Sequence, residues 1–134
     1  MTEIAITDTH PLVWYARGEY RRLGTSARNV FDAADQGQAV IYVPTVSLVE
    51  LGEGMWRGRI PIAGSFTSWV DRLFSSRNFV PVDLTTEIVL RAEEFYAIPE
   101  RGDRLIAATA AHLGYPLITR DPAIAKAAGV ELVW

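Results

Sequence analysis

The run Ala39-Val40-Ile41-Tyr42-Val43, closed by Pro44, decides the fold class together with the helical pattern that follows at residues 45–57. Its β-branched and aromatic residues predict a buried strand, and Pro44 ends it. Within residues 45–57, Val46 and Val49 lie on one side of the predicted helix. A buried strand joined directly to an amphipathic helix is typical of proteins in which strands and helices alternate.

The same alternation extends over the whole chain. Further strands are predicted at residues 4–7, 78–82, 116–119 and 130–134, and further helices at residues 26–37, 65–75, 85–96, 103–113 and 123–128. Ser26 and Asp121 are the expected N-caps of two of these helices. The pattern predicts an α/β fold with a parallel sheet, and residues 1–134 fit one domain. Function is expected at the carboxyl ends of the strands.

Composition excludes several classes of protein. The absence of cysteine removes disulfides, zinc–thiolate sites and cysteine nucleophiles, and 49% hydrophobic residues argue against disorder. The longest uncharged stretch, residues 105–119, is too short to cross a bilayer, and Glu3 and Asp8 precede any basic residue. We therefore expect a cytoplasmic protein with no membrane partner. The net charge of −3 argues against coating nucleic acid through bulk charge, although a local basic rim stays open.

Four acidic residues stand out by position. Asp8 and Asp121 follow predicted strands, Asp103 begins the alanine-rich helix, and Glu50 lies among apolar residues of its helix. Each also has an ordinary explanation: three suit helix starts, and Glu50 can lie on a solvated face beside Glu53. Together they predict a cluster of carboxylates, which repel one another unless a cation is present.

Such a cluster favours one kind of chemistry. Oxygen ligands without histidine or cysteine suit Mg²⁺ or Mn²⁺, and these ions support phosphodiester hydrolysis. The sequence has neither a Gly-rich phosphate loop with Lys-Ser/Thr nor a Gly-x-Gly-x-x-Gly run, which argues against nucleoside triphosphate and dinucleotide sites.

Four segments, in order and at matching spacing, resemble the PIN-domain toxins of the VapBC type. They are Asp8-Thr9-His10-Pro11-Leu12-Val13-Trp14-Tyr15, Ser47-Leu48-Val49-Glu50-Leu51, the run Gly102-Asp103-Arg104-Leu105-Ile106-Ala107-Ala108-Thr109-Ala110, and Leu117-Ile118-Thr119-Arg120-Asp121. The resemblance covers essentially the whole chain. Many relatives carry a further Asp and a Pro before the Asp-Arg pair, where this chain has Glu100, Arg101 and Gly102.

The resemblance implies a three-layer α/β sandwich and an endoribonuclease that depends on Mg²⁺ or Mn²⁺. It assigns Asp8, Glu50, Asp103 and Asp121 as the metal-binding catalytic acids. Thr119 becomes a candidate supporting hydroxyl. Glu100 is a candidate replacement for the carboxylate that relatives have before the Asp-Arg pair.

The expected partners are RNA, an antitoxin protein and a second copy of the chain. Arg101, Arg104 and Arg120 neighbour the acids in sequence and are candidate phosphate-binding residues, and Arg57 and Arg59 follow the Glu50 helix. The resemblance is the main support for the antitoxin and the homodimer, helped by apolar helix residues Trp56, Phe66 and Trp69. The aromatic residues Trp14, Tyr15, Trp56 and Trp69 suit either core packing or stacking on bases.

Three alternatives compete with this interpretation. A receiver-type signalling domain also has an acidic Mg²⁺ pocket, but it needs adjacent acids after the first strand, and Asp8 is followed by Thr9. A haloacid-dehalogenase-type phosphatase needs Asp-x-Asp there, and His10 occupies the second position. A PIN-like fold kept only as a binding module is the third, although all four acids are present.

Overall fold

The computed structural model describes residues 2–134, which form one five-stranded parallel sheet in the order β3-β2-β1-β4-β5. The strands are β1 (Glu3–Thr7), β2 (Ala39–Pro44), β3 (Phe79–Val82), β4 (Leu117–Ile118) and β5 (Leu132–Val133). The helices are α1 (Thr9–Ala16), α2 (Thr25–Asp35), α3 (Thr45–Trp56), α4 (Phe66–Ser75), α5 (Thr86–Arg91), α6 (Arg101–Leu113) and α7 (Pro122–Ala125), with 3₁₀ turns at Tyr20–Arg22 and Ala92–Phe95.

Helices cover both faces of the sheet and make the predicted three-layer sandwich. Successive residues of a strand point to opposite faces, and the buried residues accordingly fall into two clusters. Ala5 of β1 joins a cluster formed with α1 to α4, whereas its neighbour Ile6 joins one formed with α5, α6 and α7. In β4, Ile118 joins the first of these clusters and Leu117 joins the second.

The order of the strands excludes the receiver-type alternative. Receiver domains place the third strand beside the first, in the order 2-1-3-4-5. Here β1 lies between β2 and β4, with the pairs Ile6↔Tyr42 and Ile6↔Leu117 on its two sides. Within residues 2–134, no helix is long and apolar enough to cross a membrane.

Some local predictions were wrong. Helix α1 was not expected, because its buried residues occupy too much of the helix circumference to give a one-sided pattern; they are Thr9, Pro11, Leu12, Val13 and Trp14. Ser26 is not an N-cap, since α2 begins one residue before it and Gly24 is the cap. Helix α6 begins at Arg101, two residues earlier than predicted, and β4 and β5 are shorter than expected.

Candidate acidic active site

The carboxyl ends of β1 and β4 bring Asp8 and Asp121 together at the centre of the sheet. Thr7 pairs with Ile118, and the Asp8 N–H donates to the Ile118 carbonyl at 3.0 Å. Asp8 directly follows β1, and Asp121 follows β4 by three residues. Parallel strands end at the same edge of a sheet, so the fold places both acids where the sequence predicts a functional crevice.

Thr119 links these two acids through its hydroxyl. Its Oγ1 donates to Asp8 Oδ2 at 2.8 Å and accepts from the Asp121 N–H at 3.1 Å. The remaining bonds are those of helix caps: Thr9 N donates to Asp8 Oδ1 at 2.7 Å, and Ala123 N donates to Asp121 Oδ1 at 2.8 Å. Asp8 and Asp121 are therefore both helix caps and members of the acidic cluster. The capping hydrogen bonds fix the direction of each carboxylate.

Glu50 and Asp103 reach the same place from α3 and α6, which pack against each other. Asp103 lies in the first turn of α6, as predicted. The Glu50 carboxylate lies directly against the neighbouring residue Gly102, where a Cβ atom would be 3.0 Å from Glu50 Cδ and closer still to Oε1. Only glycine at this position lets Glu50 approach the start of α6 so closely.

The pKa values of three of these carboxyls are raised because burial and mutual repulsion disfavour their charged forms. Burial raises the pKa of Asp8 against the opposing hydrogen bonds from Thr119 and Thr9. Burial, followed by the charge of Asp8, raises the pKa of Glu50 to about 7. Burial and then the adjoining Asp121 carboxyl raise the pKa of Asp103. The site thus concentrates negative charge that its own residues do not neutralise.

The donor set fits a hydrated divalent cation. Glu50 Oε1 and Thr9 Oγ1 are both buried and make no hydrogen bond of good geometry among residues 2–134, although the Thr9 side chain lies close enough to Glu50 to lower the pKa of its carboxyl. In this part of the chain no three Asp, Glu or His side chains converge at the spacing of a preformed metal cage. Mg²⁺ usually keeps several waters and binds through one or two carboxylates, so it does not need such a cage.

A cleft of about 820 Å³ opens beside the acids. Glu50 and Asp103 line it, and so does Glu100, whose charge also contributes to the raised pKa of Glu50. Arg101 also lines the cleft. Asp8 and Asp121 do not themselves line the cleft, but both contribute to the raised pKa of Asp103, which does.

Two of the predicted phosphate-binding arginines are held by other contacts. Arg104 Nη1 donates to the carbonyls of Ile98 and Pro99, at 2.8 and 2.9 Å. The Arg120 guanidinium lies 4.7 Å from the ring centre of Trp14. Neither residue lines the cleft, so Arg104 stabilises the segment before α6 and Arg120 packs on an aromatic ring.

The aromatic residues divide between the core and the surface. Trp14 and Trp69 are buried, so Trp69 does not supply the exposed apolar surface expected of it. Trp56 is 72% exposed and packs only edge-to-face against Phe66, with 5.9 Å between ring centres. His10 is exposed at the mouth of the cleft, beside the Trp14 ring.

Two residues of the site escaped prediction. The Thr9 hydroxyl is buried close to the Glu50 carboxylate, and its only signal in the sequence is its place next to Asp8. Gly102 lies in close contact with the Glu50 carboxylate. No local sequence pattern predicts this contact, because it joins residues far apart in the chain.

The sheet order and the two helical layers are those of a PIN-type α/β fold, with Asp8 and Asp121 after strands and Glu50 and Asp103 on helices. The sequence model of the PIN domain family matches residues 5–130, and the chain therefore belongs to this family. Comparison with curated protein sequences gives no significant match.

Solved structures share this fold over nearly their whole length. VapBC2 from Rickettsia felis, bound to a DNA fragment from its promoter, superposes with a TM-score of 0.69 at 16% identity, covering 96% of both chains. DNA-bound VapBC from Salmonella typhimurium gives 0.69 at 14% identity, covering 98% of this chain and 97% of the other. A toxin–antitoxin complex from Klebsiella pneumoniae gives 0.62 at 18% identity, covering 94% of both.

Proposed function

We propose that this protein is an endoribonuclease dependent on Mg²⁺ or Mn²⁺ and the toxin of a type II toxin–antitoxin pair. The observation that carries the proposal is the meeting of Asp8, Glu50, Asp103 and Asp121 beside an open cleft, with pKa values raised at three of the four. Carboxylates in this state are stabilised by a divalent cation, and phosphodiester hydrolysis is a reaction that such a centre supports.

Asp8, Asp103 and Glu50 have different proposed roles in the site. A cation held by oxygens of these acids would supply a water of lowered pKa and positive charge beside the phosphate. Asp8 is held in one orientation by Thr119 and Thr9, so it needs little reorganisation on binding. Asp103 lies at the positive end of α6. Glu50 Oε1 is the buried acceptor available to orient a water molecule.

The proposed partners are RNA and an antitoxin. The three structural neighbours are toxin–antitoxin complexes or VapBC pairs by name, which supports a protein partner for this chain. A homodimer is proposed as well, since α5 and the following turn expose Leu90 (70%) and Tyr96 (82%).

The direct test is cleavage of a mixed pool of labelled RNA by the purified, partner-free protein. Cleavage with Mn²⁺ or Mg²⁺ that stops in EDTA is the expected result. A parallel preparation of the Asp121→Asn variant controls for contaminating ribonucleases, which it would carry equally. Equal cleavage with and without metal would overturn the metal mechanism, and no cleavage under any condition would favour a non-catalytic binding module.

A further inference from the structure

The far end of the cleft carries arginines that lack carboxylate partners. Arg57 and Arg59 both line the cleft, and neither forms an ion pair among residues 2–134. Most arginines among residues 2–134 form no ion pair, so it is their position in the cleft that distinguishes Arg57 and Arg59. By contrast Arg17 and Arg22, which also line the cleft, share Glu19. Guanidinium groups left free in a cleft suit the phosphates of a ligand.

The backbone fixes where these two arginines lie. Gly58, at φ +70°, ends α3 in a left-handed turn. The Gly58 N–H donates to the Met55 carbonyl at 3.1 Å, and the Arg59 N–H donates back to the Gly54 carbonyl at 2.8 Å. This is the paired C-terminal hydrogen bonding of a Schellman motif. Arg59 is therefore folded back against the last turn of α3, close to Arg57.

Helical geometry relates Arg57 to the acidic centre. Arg57 lies seven residues after Glu50, so both occupy the same face of α3, about 10 Å apart along its axis. At a rise of about 3.4 Å per stacked nucleotide, this separation corresponds to roughly three nucleotides. Glu53 lies between them, one helical turn before Arg57, and forms no ion pair with it.

An exposed aromatic ring adjoins the arginines. Trp56 precedes Arg57 and does not itself line the cleft, but it shares a face of α3 with Val49, which does. The Trp56 ring contacts Phe66 only through an edge-to-face pair with an interplanar angle of 85°, and 72% of its surface is exposed. An aromatic face beside free guanidinium groups is the combination that binds single-stranded nucleic acid.

We propose that Trp56, Arg57 and Arg59 form a substrate subsite, at which an unpaired RNA base stacks on Trp56 while the arginines hold the adjoining phosphates. This proposal rests on the proposed function, because it gives the RNA a path from the acidic centre along α3. The free charges favour nucleic acid over an apolar protein segment as the occupant, since a protein segment would leave Arg57 and Arg59 without partners.

The test measures affinity and cleavage separately, using a fluorescein-labelled, unstructured 12-nucleotide RNA. Affinity is followed by anisotropy in EDTA, and kcat and KM are followed in Mn²⁺. Trp56→Leu keeps apolar bulk but loses the aromatic face, and it should weaken binding by roughly 5- to 150-fold, with KM raised and kcat kept. Trp56→Phe should restore most of the affinity.

Removing the arginines should change the salt dependence of RNA binding, whereas removing the Trp56 ring should not. Each lost phosphate contact on a single strand lowers the slope of log affinity against log salt by about 0.7, so Arg57→Ala with Arg59→Ala should lower it by about 1.4. Trp56→Leu should leave the slope unchanged. Arg72→Ala is the matched control, because Arg72 is exposed on α4 and does not line the cleft.

The outcomes separate the subsite from the proposed function. If the protein cleaves RNA but all these variants bind it as the unmodified chain does, the subsite is wrong and the nuclease stands. Equal affinity of Trp56→Leu and Trp56→Phe would show that no base stacks on this ring and would overturn the proposal. RNA binding that depends on Trp56 and the arginines, without cleavage, would uphold the subsite and overturn the nuclease.

Discussion

Thr119 Oγ1 donates to Asp8 Oδ2 at 2.8 Å, joining residues 111 positions apart, and the same oxygen accepts from the Asp121 N–H. Replacing Thr119 by Val keeps the shape but removes both bonds. We expect RNA cleavage to fall about 10- to 100-fold, because an outer hydrogen bond that orients a ligand commonly contributes this much. Cleavage assays of Thr119→Val and Thr119→Ser measure the effect; Ser keeps the hydroxyl and should retain most activity. Full activity in Thr119→Val would show that Asp8 needs no orientation.

Gly102 controls the position of Glu50 through the absence of a side chain. In Gly102→Ala the new Cβ would collide with the Glu50 carboxylate and displace it. Activity should fall, while stability in urea should be kept or rise slightly, since Ala favours a helix more than Gly does. A double-mutant cycle with Glu50→Ala provides the control.

Once Glu50 is removed, the added methyl has nothing left to displace, so Gly102→Ala should cost little further activity. Fully additive losses in the two variants would contradict the contact.

Stability without metal should decline as the pH rises. Glu50 has a pKa raised to about 7, above its ordinary 4.5, and the pKa of Asp103 is also raised. A carboxyl with a raised pKa in the folded state favours folding below its unfolded pKa and loses that contribution as pH rises through the folded pKa. Urea midpoints in EDTA should therefore fall between pH 5 and pH 8.

The Glu50→Gln, Asp103→Asn double variant should show a shallower decline, because it lacks both titrating groups. Saturating Mn²⁺ should reduce the decline in the unmodified protein, since a cation offsets the repulsion. Midpoints that rise toward pH 8 would contradict the charge cluster.

The isolated chain should be a homodimer by light scattering. Leu90 and Tyr96 are large apolar side chains exposed on α5 and the turn that follows it. Leu90→Glu should shift the mass toward the monomer without lowering the melting temperature. A monomer at high protein concentration would contradict the dimer.

The sequence predicts the alternating elements and the positions of Asp8 and Asp121, because strand ends and caps are encoded by neighbouring residues. Helix α1 escapes prediction because it is buried around most of its circumference. Trp69 illustrates another limit: helical spacing places it on an apolar face, but only packing against the sheet decides that this face is buried. The contact between Glu50 and Gly102 depends on the packing of α3 against α6, which no local pattern contains.

The most direct test of the acidic centre is the Asp103→Asn variant, assayed on one preparation for Mn²⁺-dependent RNA cleavage and for thermal unfolding in EDTA. Asn keeps the size of the side chain but removes a negative charge that we propose binds the cation. Cleavage should fall by orders of magnitude, while the metal-free melting temperature should stay the same or rise, because one member of a repelling cluster is gone. Near-normal cleavage together with lost stability would contradict the assignment and leave Asp103 as a helix-terminus residue only.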